Sequence, residues 1–226
     1  MLRTVLVYPD PALKVKARSV AKVDDGIRRL VKDMVETMYA EECVGLAAPQ
    51  IGESKRILVV DTSSRQPGEK LRVFINPELV SAEGRTKYAE GCLSIPGENE
   101  EIERFGQVTV RALDEKGQPF ELVAEGLLAI ALQHEMDHLD GVLFVDRLSS
   151  LKRGLIRKRM LQVIEDRKAA ARAPAPAPTP APAAKAAKPA AKRAAAPARA
   201  KKTAAKSSTS TKAAKGGKSD RPSAAL

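Results

Sequence analysis

The chain has 226 residues, 43% of them hydrophobic, with no Trp and few aromatics, which suits one well-buried domain of ordinary size. The formal net charge of +11 is unevenly spread: thirteen Lys/Arg and one acid, Asp220, lie between Arg172 and Leu226, whereas residues 1–171 hold 26 basic and 27 acidic side chains. A near-neutral folded part excludes a basic nucleic-acid-binding domain, and two cysteines, Cys43 and Cys92, are too few for a disulfide framework.

The N-terminal stretch MLRTVLVYPDPAL has an apolar run of Val5 to Tyr8 before Pro9, too short for the core of a signal peptide. No stretch reaches the length of a membrane-spanning helix, so the expected setting is a reducing cytoplasm with no membrane contact. DDGIRRLVKDMVETMYAEE reads as an amphipathic helix: Ile27, Leu30, Val31, Met34, Val35 and Met38 share one face, and Asp24 or Asp25 can cap its start. Strands are expected at 56–61, 71–76 and 107–114, the last turning through DEKGQ into 119–125 as a hairpin. GLLAIALQHEMDHL (126–139) is apolar almost all round until its histidines, the mark of a buried helix, and Gly141 can stop it. A last helix is expected over 150–167. From Arg172 the composition turns to Ala, Pro, Lys and Ser/Thr, too poor in large apolar side chains to offset the entropy of ordering. The expected organisation is a folded domain over 1–171 and a disordered basic tail over 172–226. The irregular alternation of elements indicates an α+β fold: short, mostly antiparallel strands around a buried central helix, with further helices near either end.

That central helix carries His134, Glu135 and His138 in H-E-x-x-H spacing. Positions i and i+4 lie one turn apart on one helix face, so both imidazoles can reach one metal ion with the glutamate beside them. A hydrolytic metal needs a third protein ligand and an open position. These are the only two histidines, so the third ligand is either a carboxylate, with Asp140, Asp146, Glu165 and Asp166 to choose from, or a thiolate. Cys92, in YAEGCLSIPG, lies in a segment that Gly91 and Pro96 break into a loop, and a thiolate suits zinc or ferrous iron.

EGCLS (90–94), GLAAPQ (45–50) and QHEMDHLDG (133–141), supported by VYPDPAL and DGVLFVDRLSSLKR, together resemble the peptide deformylase family over roughly residues 2–168. The resemblance implies a Cys-His-His metal site formed by Cys92, His134 and His138, with Glu135 as acid/base residue. Gln50 and the backbone N–H of Leu93 would stabilise the oxyanion, and Gly45 would lie close to the substrate backbone. Ferrous iron is the usual metal in that family, with zinc, nickel or cobalt able to take its place. The implied reaction removes the formyl group from the N-terminal methionine of nascent polypeptides and releases formate. One position departs from the family's usual G-x-G-[L/I]-A-A: the first glycine is Cys43. A Cys there would cost roughly 1 kcal/mol or more if the backbone needed φ > 0, or would narrow the pocket if the glycine gave clearance.

Leu127, Ile130 and Ala131 precede His134 by seven, four and three positions and share its helical face. With Val44 they are candidates for a methionine pocket, against ordinary core packing. Two other functions compete: a small H-E-x-x-H endopeptidase with a carboxylate third ligand, and a binding protein whose basic tail neutralises nucleic-acid phosphates without reading sequence. A basic tail is compatible with catalysis, since it would hold a deformylase near the ribosome, where the family's C-terminal helical region can also make contact.

Overall fold

The computed structural model describes residues 1–172. The first helix, α1 (Asp25–Ala40), starts as its sequence requires: Asp24 accepts a hydrogen bond from Ile27 N at 2.9 Å, and Ile27, Leu30, Val31, Met34 and Met38 are buried. Seven strands follow: β1 (Gly45–Ala47), β2 (Ile57–Val60), β3 (Arg72–Glu83), β4 (Thr86–Cys92), β5 (Ile95–Arg104), β6 (Gln107–Leu113) and β7 (Pro119–Glu125). The described residues then form α2 (Gly126–Leu139) and α3 (Ser150–Arg172).

Five strands form an antiparallel sheet in the order β1-β2-β3-β6-β7. The β4–β5 hairpin, inserted between β3 and β6, forms a sheet of its own. Alternation along β2 explains the layers. Leu58 and Val60, with Phe74 of β3, pack into a core shared with α2, whereas Ile57 and Val59, with Ile75, pack into a core shared with α1. The sheet is thus buried on both faces there, with a helix on each. A third core joins Val7, Tyr8 and Leu13 to Cys92, Ile95 and Ile102 of the hairpin and to Ile156 and Met160 of α3.

The α+β expectation holds, and α2 occupies 126–139 as read from the sequence. Gly141 takes φ 72 just past its end, and a Cβ there would lie 2.5 Å from the Lys14 carbonyl oxygen. The hairpin turn forms around Asp114, whose Oδ1 accepts from Lys116 N and Gln118 N, both at 2.8 Å. Three expectations need correction. The strand placed at 71–76 continues to Glu83 through a break in register at Asn76 (φ 53) and Pro77, because a bulge tolerates a proline that a regular ladder does not. The segment around Cys92 is a hairpin and not a loop. Gly91 pairs with Asn99 and Cys92 with Ile95, so Pro96, Gly97 and Glu98 bulge from β5 and Leu93–Ser94 form a two-residue turn. The last helix runs to Arg172, past the expected end at residue 167. The expected disordered tail lies outside the described residues from residue 173 onward.

Candidate metal centre

Two elements meet at the site. One face of α2 carries His134 and His138, and the tip of the β4–β5 hairpin delivers Cys92 opposite them. One donor atom from each of the three lies within 4.8 Å of the others, the only such group of three or more His, Cys, Asp or Glu among the described residues. Cys92 Sγ is 3.3 Å from His138 Nε2, and the two imidazoles stand edge to face with centroids 5.0 Å apart. His134 Nε2 is buried without a partner, as a nitrogen awaiting a metal would be. Burial pushes His138 well below the usual imidazole range, whereas at His134 burial is outweighed by the hydrogen bonds to Cys92 and Glu90, which raise it well above that range. The donor set of one thiolate and two imidazoles fits zinc or ferrous iron.

The other ring nitrogen of His134 is held from behind. Glu90, with no exposed surface, lies 2.8 Å from His134 Nδ1 and accepts from Arg104 Nε at 2.6 Å and Nη2 at 2.9 Å. Arg104 also donates to Asp137 at 2.6 Å, and Arg147 reaches Asp137 at 2.7 Å. Burial alone would raise the Glu90 carboxyl, but the hydrogen bonds from Arg104 and His134 outweigh it and bring it to about 2. A carboxylate fixed in this way selects the His134 tautomer that presents Nε2 to a metal. Sequence reasoning missed Glu90, Arg104 and Asp137. Glu90 had a legible signal, because a residue two before Cys92 on a strand shares its face.

Glu135 is fully buried, and neither carboxylate oxygen has a partner. Burial raises it to about 7. It packs on Gly45, where a Cβ would lie 2.6 Å from Oε1, so the glycine is needed to make room for the glutamate. Gln50 Oε1 accepts from Ala47 N at 2.7 Å, which turns the amide Nε2 towards Cys92 Sγ at 3.6 Å and Ser94 Oγ at 3.5 Å. Leu93 is in the turn directly after Cys92. Cys43 is buried with its thiol raised to about 12 by burial, then by the Glu135 charge, and it is not the residue with φ > 0; that role falls to Glu42 at φ 54. Val44, Ile130 and Ala131 lie in one core cluster with Leu127 packed against it. The four carboxylates considered as third ligands are engaged elsewhere. Asp140 pairs with Arg56 at 2.8 Å, Asp146 with Lys14, and Glu165 with Lys168 at 2.9 Å, while Asp166 accepts from Gln162 at 2.9 Å.

Comparison with known proteins places the chain in a family. Residues 2–154 match the family model described as polypeptide deformylase. A peptide deformylase of Azotobacter vinelandii is 55% identical over 158 residues, 70% of this chain and 93% of the relative. One of Alkalilimnicola ehrlichii is 51% identical over 160 residues, 71% of this chain and 89% of the relative. The crystal structure of a peptide deformylase from Legionella pneumophila superposes with a TM-score of 0.69 at 45% identity, covering 77% of this chain and 100% of that one. The chain belongs to the peptide deformylase family.

Proposed function

We propose that Cys92, His134 and His138 hold one divalent ion, ferrous iron in the cell, and that Glu135 is the acid/base residue of the deformylation carried out there. The reaction is hydrolysis of the formyl group on the N-terminal methionine of nascent polypeptides, releasing formate, in a metal-dependent family. The convergence of three donor atoms within 4.8 Å beside a buried, unpartnered glutamate carries the assignment. A metal held by Cys92, His134 and His138 would supply Lewis acidity towards the formyl carbonyl and lower the pKa of the attacking water. Glu135 takes the proton of that water and delivers it to the leaving amine nitrogen, a task that suits a carboxylate raised towards neutrality by burial. Gln50 Nε2 and Leu93 N–H donate to the oxyanion, each contributing about 3 kcal/mol.

Gly45 lets the substrate backbone and Glu135 come together, and Val44, Leu127, Ile130 and Ala131 form the apolar wall that takes the methionine side chain. Iron-loaded protein kept free of oxygen should release formate from formyl-Met-Ala-Ser without cutting its peptide bonds. Ile130→Phe should raise KM for that peptide. Cleavage of internal bonds instead would identify an endopeptidase, and an unchanged KM would remove Ile130 from the pocket.

The partner beyond the nascent chain is the ribosome in the cytoplasm. On α3, Lys152, Arg157, Lys158 and Arg159 are exposed, and the sequence from residue 172 on adds thirteen basic residues for non-specific contact with RNA. Deleting residues 172–226 should weaken salt-sensitive co-sedimentation with ribosomes while sparing turnover of short peptides. Undiminished co-sedimentation would assign the contact to α3 alone.

A further inference from the structure

The stretch QHEMDHLDG opens on Gln133, one residue before His134, and the chemistry proposed above gives it no task. Its amide grips the backbone of Phe105: Oε1 accepts from Phe105 N and Nε2 donates to the Phe105 carbonyl, both at 2.9 Å. Nε2 also donates to the Ala129 carbonyl, one turn back on α2, at 2.9 Å, so three bonds fix one side-chain conformation. Phe105 lies between the end of β5 at Arg104 and the start of β6 at Gln107, outside either ladder. The glutamine thus serves its backbone groups as a neighbouring strand would.

The residue before Phe105 is Arg104, the cation that holds Glu90 against His134 Nδ1. One turn along α2 from Gln133, Asp137 accepts from Arg104 Nη1 at 2.6 Å. Gln133 and Asp137, at i and i+4 on the helix, therefore grip consecutive residues at the end of β5. The contacts close a ring that runs from Gln133 through Phe105, Arg104 and Glu90 to His134, the sequence neighbour of Gln133.

We propose that Gln133 is a positioning residue for the metal centre: by clamping the Phe105 backbone it anchors Arg104, and through Arg104 the Glu90 carboxylate that orients the His134 ring. The inference rests on the centre of Cys92, His134 and His138 proposed above. Gln133 acts one contact further from the metal than Glu90, so its loss should weaken metal affinity by less, about three- to tenfold.

Gln133→Met keeps the length of the side chain and removes its hydrogen bonds. In competition titrations with a chelating dye it should bind zinc more weakly than the parent by that factor. Gln133→Glu keeps the acceptor for Phe105 N–H and should fall between the two. The deciding measurement is the double variant Gln133→Met/Glu90→Gln. Acting through Glu90, Gln133 has little left to orient there, and the double variant should bind zinc as Glu90→Gln alone does, within about twofold. A glutamine that only steadied α2 would lower affinity by the same factor in both backgrounds. If Gln133→Met does not fold, Gln133→Glu takes its place in the same cycle, judged in the same way. Parental zinc affinity in the single variant, or losses that multiply in the double variant, overturns the proposal. A parent that binds no zinc overturns the metal centre itself.

Discussion

Glu90 shows what single residues contribute and how much of that a sequence can reveal. The grouping of Cys92, His134 and His138 was legible because metal coordination would need those atom types, and helix periodicity puts the two histidines together. The groups that orient them were not, because Arg104 lies 14 residues from Glu90 and 33 from Asp137, and only the folded hairpin brings the three into contact. Similarly, nothing in GLAAPQ says that Gly45 makes room for the Glu135 side chain. The hydrogen bond that His134 Nδ1 donates to Glu90 fixes the ring, so Glu90→Gln should weaken metal affinity roughly 10- to 100-fold. A competition titration with a chelating dye measures this; parental affinity in the variant would remove Glu90 from the support of the site.

Among elements, those with a clean period were legible and those with mixed signals were not. Helices α1 and α2 carry a face or a continuous apolar run, and β2 and β6 are rich in β-branched residues. Strand β1 is three residues long, too short for any pattern. Strand β5, IPGENEEIER, holds glutamates, a glycine and a proline that argue against a strand, and its pairing with β4 decides the matter through contacts remote in sequence. That pairing positions the site, since the bulge at Pro96–Glu98 leaves Cys92 at a tight turn facing α2. The other end of α2 depends on Gly141, where φ 72 and the Lys14 carbonyl leave no room for a side chain. Gly141→Ala combines left-handed strain of roughly 1–2 kcal/mol with a backbone clash, so a total loss of about 2 kcal/mol or more is expected in urea unfolding. A variant as stable as the parent would show that the Lys14 segment yields.

In the whole molecule, three apolar clusters converge on a polar centre. One packs α2 on the sheet, one packs α1 on the opposite face, and the third ties the N-terminal segment and α3 to the hairpin that bears Cys92. Arg159 reinforces the last with a two-pronged ion pair to Glu98 at 2.5 and 2.7 Å. The three candidate ligands thus come from two elements, α2 and the β4–β5 hairpin, each packed into a cluster of its own. Cys92 as the third ligand distinguishes the proposed centre from that of an H-E-x-x-H peptidase with a carboxylate ligand. The direct measurement is bound metal and formate release for Cys92→Ser beside the parent, both loaded with iron under anaerobic conditions. The predicted result is one metal per chain and rapid formate release in the parent, with both lost in the variant; a Cys92→Ser protein that keeps its metal and its turnover would contradict the account.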